Sequence, residues 1–105
     1  MPSPSAFHFF RLNAAVDPKV YPDPEKYWED LIEVYRSEIK DLAALGCNYI
    51  QLDEVPLAML CDPSIQEQVR GMGGDPQALI ARYVDVLERI LSAAPSSMTV
   101  GIHLC

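Results

Sequence analysis

Two pairs of residues in this sequence have side chains suited to binding a metal ion or a charged substrate. One is His103 and Cys105 at the end of "MTVGIHLC", and both are good metal ligands. The other is Asp53 and Glu54, at the end of "NYIQLDE". In an extended chain, positions i and i+2 lie on one face roughly 6 to 7 Å apart, so the imidazole and the thiol can converge on one tetrahedral ion. The acids can serve a substrate ammonium as an ion-pair partner, or they can simply cap the loop that follows. An H-x-C pair arises easily by chance, and what gives it weight is where the chain places it.

The elements that must position these residues are legible in outline. Four prolines follow an aspartate, at Asp17-Pro18, Asp23-Pro24, Asp62-Pro63 and Asp75-Pro76. Asp as N-cap with Pro at the first helical position is a helix start, because Pro lacks an N–H that would have no partner there. Asp23-Pro24 opens a helix to about Leu45, closed by Gly46, with Trp28, Leu31, Ile32, Tyr35, Ile39 and Leu42 as its buried stripe. Glu29, Glu33, Arg36 and Lys40 form its solvated face. Asp75-Pro76 opens a second long helix burying Leu79, Ile80, Tyr83, Val84, Leu87, Ile90 and Leu91, and Pro95 with its flanking serines ends it. A long connection after Asp53 holds a short helix from Asp62-Pro63 to about Arg70. The first twenty residues read as loop, with "AFHFF" at most a strand or a turn of helix.

The order loop, helix, strand, long loop, helix, strand contains a strand–helix–strand unit, which demands parallel strands joined by a right-handed crossover. Within each strand one side is aliphatic: Ile50 and Leu52 in the first, Val100, Ile102 and Leu104 in the second. The other side is small or polar, with Tyr49, Gln51 and Asp53 in the first and Thr99, Gly101, His103 and Cys105 in the second. Polarity rises toward the carboxyl ends, where α/β barrels carry their chemistry. Two strands alone leave sheet edges open, so the reading is a piece of a larger α/β sheet or barrel, prone to self-association through those edges.

The 105 residues carry a formal charge of -7 and are half hydrophobic. That supports a packed core and argues against nucleic acid or an anionic membrane as partner, since both call for clustered Lys and Arg. No apolar run approaches the roughly 20 residues of a membrane span, and the start lacks a cationic segment followed by a long apolar one. Three cysteines without a C-x-x-C pair make a poor disulfide framework, so a cytoplasmic location is expected. Cys47 and Cys61 read as packed thiols, His8 as a packed or turn residue, and Tyr27 with Trp28 as core.

At "CNYIQLDEVPLAMLCDP" and "SMTVGIHLC" the chain resembles the cobalamin-independent methionine synthase family. The likeness is to its carboxyl-terminal catalytic barrel, especially in the shorter bacterial and fungal relatives. "PSPS" and "VYPD" look like that subgroup too, and the match covers essentially the whole chain. The resemblance implies a (β/α)8 barrel, which typically needs about 250 residues or more. Residues 1–105 would then be a fragment of a single barrel domain, with about two parallel strands and two long helices of it.

The resemblance also implies roles. His103 and Cys105 fall on the family's H-x-C ligands of Zn2+, and Asp53 falls on the aspartate that holds the amino group of homocysteine. Glu54 receives no role. The implied reaction moves a methyl group from 5-methyltetrahydrofolate to the homocysteine thiol. The family completes its zinc site with a glutamate and a second cysteine further along, so the chain alone is expected to be inactive and to hold zinc weakly. Asp53→Asn in a longer relative is expected to weaken homocysteine binding and leave zinc in place. The rival readings are a related barrel alkylthiol transferase, a uroporphyrinogen decarboxylase-like enzyme that needs no zinc, and a truncated non-catalytic product.

Overall fold

A computed structural model describes residues 1–105, with Asn13 described by its backbone alone. Its frame is α1 (Ala6–Phe9), a 3-10 turn (Leu12–Ala15), α2 (Pro24–Ala44), β1 (Tyr49–Asp53), α3 (Val55–Met59), α4 (Pro63–Gly71), α5 (Pro76–Leu91) and β2 (Thr99–His103).

Three of the four Asp-Pro pairs start helices as expected. Asp23, Asp62 and Asp75 each turn a side-chain oxygen back onto an N–H of the first turn, at Glu25, Ser64 and Gln77 respectively. Asp17-Pro18 does not. Asp17 accepts from the Lys19 N–H, but the chain makes only a turn, because Pro22 disfavours helical backbone at Tyr21. The long helix α2 ends at Gly46, whose φ of 91° is open to glycine at little cost. There the Gly46 and Cys47 N–H groups donate back to the Ala43 and Leu42 carbonyls, satisfying the last turn and aiming the chain into β1.

The strands are parallel and in register, from Tyr49 beside Thr99 to Asp53 beside His103. Helix α5 is the crossover between them, and it packs on α2. Trp28, Ile32 and Tyr35 of α2, Leu52 of β1, Leu60, and Tyr83, Val86, Leu87 and Ile90 of α5 form one continuous core. A smaller cluster of Ile39, Ile50 and Met98 closes the amino-terminal end of the sheet. In α5 the buried residue is Val86, and Val84 is 41% exposed. The stripe expected from the sequence took the wrong valine there, because Val84 and Val86 lie symmetrically between Tyr83 and Leu87 and are equal in hydropathy. Only the docking angle on α2 chooses between them.

Four further expectations need correction. The first twenty residues are not all loop, since Met1–Ser3 lies parallel along the free side of β1. The Asp53 N–H donates to the Met1 carbonyl and the Ser3 N–H to the Asp53 carbonyl, at 2.9 and 3.1 Å. Pro2 is tolerated because it sits where its own nitrogen faces away from β1, and its carbonyl accepts from the Tyr35 hydroxyl at 2.6 Å. The connection after Asp53 holds α3 as well as α4. Finally, the aliphatic side of β2 is not covered as that of β1 is: Ile102 and Leu104 are 46% and 57% exposed. Cys61, expected to be packed, is exposed. Among the described residues no helix is long and apolar enough to cross a membrane.

Candidate functional site

β1 alternates strictly, with Ile50 and Leu52 buried and Tyr49, Gln51 and Asp53 exposed. The exposed file meets Thr99, Gly101 and His103 of β2 on the same side of the sheet. Asp53 and His103 are thus side by side at the carboxyl ends of both strands. His103 Nδ1 lies 3.2 Å from Asp53 Oδ1, and each side chain is half exposed. Gln51 Nε2 donates to the same Asp53 oxygen at 3.4 Å, and Tyr49 Oη donates to Gln51 Oε1 at 3.1 Å. The Asp53 carboxyl is held below the usual aspartate range, first by the Gln51 hydrogen bond and then by that of His103, with the nearby terminal ammonium adding to both.

The other ring nitrogen faces Cys105. His103 Nε2 and Cys105 Sγ are 4.0 Å apart, although Cys105 lies two residues past the end of β2. Two such atoms on one tetrahedral zinc, with bonds of about 2.0 and 2.3 Å, stand about 3.5 Å apart. The pair therefore fits a shared ion after a movement of about half an ångström, and the donor set of one imidazole and one thiol suits zinc. Among the described residues no group of three or more His, Cys, Asp and Glu side chains converges on a point, so any such centre would draw two ligands from this chain.

The contact between Asp53 and His103 bears on the expected behaviour of Asp53→Asn. The carboxylate touches the ring that would bind metal, so the substitution disturbs a ligand's support as well as a substrate contact. Zinc retention in that variant therefore does not isolate a substrate-binding role.

Glu54, adjacent in sequence, goes the opposite way. It is fully buried on the helix side of the sheet, where it accepts from the Ser5 hydroxyl at 2.6 and 2.7 Å and from the Leu57 N–H at 3.2 Å. Ser5 in turn meets Ser3 Oγ at 2.7 Å. Glu54 is thus the N-cap of α3 and the anchor of the amino-terminal segment, so the capping alternative holds for this acid. The sequence signal was present, as strand alternation from Leu52 places Glu54 on the buried side. What the sequence could not supply was its partner 49 residues away.

His8 is packed: Nδ1 is 2.9 Å from the Tyr83 hydroxyl and the ring lies 4.9 Å from Trp28. Burial, and then the Arg82 guanidinium, push its pKa below the ordinary value. The Gln51 link was missed as a functional feature, though its polarity between Ile50 and Leu52 marked the position.

No family model matches the chain, and no solved structure matches it. It is similar over its whole length to the uncharacterized protein YxjH of Bacillus subtilis (strain 168), at 30% identity over 105 residues, which is 27% of that protein. It is 33% identical over 85 residues to the methionine synthase of Pyrococcus furiosus, covering 81% of this chain and 20% of that one. It is 30% identical over 88 residues to the 5-methyltetrahydropteroyltriglutamate–homocysteine methyltransferase of Acidiphilium cryptum (strain JF-5), covering 78% of this chain and 11% of that one. The chain spans about a quarter of the length of its Bacillus relative and less of the two methyltransferases. It is an α/β chain with partial similarity to methionine synthases, over a stretch that makes up a minor part of each of them.

Proposed function

We propose that this chain is part of a zinc-dependent S-methyltransferase barrel of the methionine synthase type, which moves a methyl group from 5-methyltetrahydrofolate to homocysteine. The observation that carries the reading is the convergence of His103 Nε2 and Cys105 Sγ beside Asp53 at the carboxyl ends of two parallel strands. Partial similarity to two enzymes named for this chemistry supports it.

In this reading His103 and Cys105 hold the metal, and residues outside the chain complete its shell. A thiol is a weak nucleophile near neutral pH because little of it is ionised, and zinc, when bound, holds the sulfur as thiolate with an open position for it. The S–CH3 bond forms as the N–CH3 bond of the folate breaks, with the electron pair staying on the folate nitrogen. Asp53 supplies orientation and no proton transfer. Both of its contacts fall on Oδ1, so Oδ2 remains to pair with the homocysteine ammonium. The barrel itself, a single domain to which residues 1–105 contribute two strands, is part of the proposal.

Cobalt substitution tests it directly. With Co2+ in large excess, to offset the weak binding expected of two ligands, the chain should show a thiolate-to-metal absorption band that disappears in Cys105→Ala and weakens in His103→Ala. Homocysteine should shift that band, and alanine should not. A spectrum unchanged by both substitutions, or blind to homocysteine, would sink the reading.

A further inference from the structure

The polar face of the sheet is organised further back along β1 than two ligands and one carboxylate require. Tyr49, Gln51 and Asp53 sit at every second position, and their side chains are linked in one direction. The Tyr49 hydroxyl donates to Gln51 Oε1 at 3.1 Å, Gln51 Nε2 donates to Asp53 Oδ1 at 3.4 Å, and the same oxygen meets His103 Nδ1 at 3.2 Å.

The direction has chemical consequences. A side-chain amide is nearly symmetric in shape, so its two ends are told apart only by their partners. A hydroxyl donating to Oε1 turns the NH2 group toward Asp53. A carboxylate oxygen only accepts, so the ring nitrogen facing it must be the one that carries hydrogen. That leaves the lone pair of the neutral imidazole on Nε2, the atom 4.0 Å from Cys105 Sγ. Metal-bound histidines characteristically donate their other N–H in this way, which fixes both tautomer and ring plane.

Gly101 belongs to the same arrangement. It pairs with Gln51 across the sheet, and the Tyr49 hydroxyl leans over it. A Cβ at position 101 would stand 2.9 Å from Tyr49 Oη, too close to keep, so any side chain there would push the hydroxyl off Gln51.

We propose that Tyr49, Gln51 and Gly101 are positioning residues which, acting through Asp53, hold His103 as the Nδ1–H tautomer with Nε2 turned toward Cys105. The purpose of the arrangement rests on His103 and Cys105 being metal ligands; its geometry does not. None of the three touches the metal or the thiol, so they act only through the carboxylate.

The test reads the ring itself, in the metal-free 15N-labelled chain at mildly alkaline pH. Long-range proton–nitrogen correlations should show His103 protonated at Nδ1. Gln51→Leu should shift it toward the Nε2–H form that an unsupported imidazole prefers in water. Tyr49→Phe and Gly101→Ala should produce a smaller shift of the same sign. Zinc affinity should fall about tenfold in Gln51→Leu, the usual lower bound for losing an outer-shell partner. His8, bonded to Tyr83 on the far side of the sheet, should not change and serves as the internal control. If Gln51→Leu does not fold, Tyr49→Phe carries the test, because it removes one oxygen from a residue that is 53% exposed. An Nε2–H ring in the parent chain would overturn the proposal. So would populations left unchanged by both Gln51→Leu and Tyr49→Phe. A ring that responds as described, while His103→Ala and Cys105→Ala leave the weak metal binding unchanged, upholds the positioning network and removes the metal reading.

Discussion

Asp53 and Glu54 are neighbours in sequence and share a side-chain chemistry, yet the two sides of β1 make opposite use of them. Glu54 is wholly enclosed, bonded to Ser5 and to the start of α3, and ties three segments of chain together. Asp53 is half exposed and bonded to groups that could each serve a ligand. A buried carboxyl without such partners would cost several kcal/mol, so the hydrogen bonds to Glu54 stabilise the fold. On the other side the bonds are wet, contribute little to stability, and matter for where atoms point. Whether a polar residue serves the fold or the chemistry is set here by which way the strand turns it.

The helix side should therefore respond to substitution with large losses of stability. Leu52→Ala removes a fully buried side chain from the main core and should cost about 3 kcal/mol in a urea titration. A loss below about 1 kcal/mol would mean that this face is not packed as described. Glu54→Ala leaves the Ser5 hydroxyl and the Leu57 N–H without their acceptor, and should cost about 2 kcal/mol. Hydrogen exchange at Ser3 should accelerate with it, since the segment from Met1 to Ser3 is anchored there. Unchanged protection at Ser3 would break the link between the acid and the amino-terminal strand.

The two faces should also titrate at opposite ends of the pH scale. Burial, followed by the fields of Tyr27 and Glu54, pushes the Tyr35 phenol up to about 12. A folded-state pKa above the unfolded value of about 10 gives stability that is complete below pH 10 and lost as the pH rises through about 12. Ionised Tyr35 also loses its hydrogen bond to the Pro2 carbonyl. Tyr83 is raised as well, again chiefly by burial, so Tyr35→Phe should shrink the alkaline loss without abolishing it. An alkaline transition identical in that variant would refute the assignment.

Asp53 runs the other way. Its pKa is depressed by Gln51 and then His103, so its contribution is present above the ordinary aspartate value and fades as the pH falls through the folded-state value. A carbon-detected titration should place Asp53 below a model aspartate, and closer to it in Gln51→Leu. No movement between the two chains would argue that Gln51 does not reach the carboxylate in solution. The smallest expected effect is the most discriminating. Gln51→Leu should change unfolding free energy by less than about 0.5 kcal/mol, while shifting the His103 ring. A large destabilisation would place Gln51 with the helix side of the comparison.

What the sequence determined by itself is what local rules decide. Asp-Pro pairs locate the starts of α2, α4 and α5, because an N-cap and its N–H partner are two or three residues apart. The period of two placed Tyr49, Gln51 and Asp53 on one side of β1, and His103 and Cys105 together on one side of the chain, because alternation in an extended backbone needs no partner. Only the tertiary structure decided the rest. Asp53 meets His103 across 50 residues, Glu54 meets Ser5 across 49, and Tyr35 meets Pro2 across 33. Each of those meetings depends on the register of β1 against β2, on the docking of α2, or on a proline-rich start laid along a strand edge. A one-residue slip in any of these leaves every local signal intact and separates the pairs, because register and docking are set by the whole packed core and by no single stretch of chain.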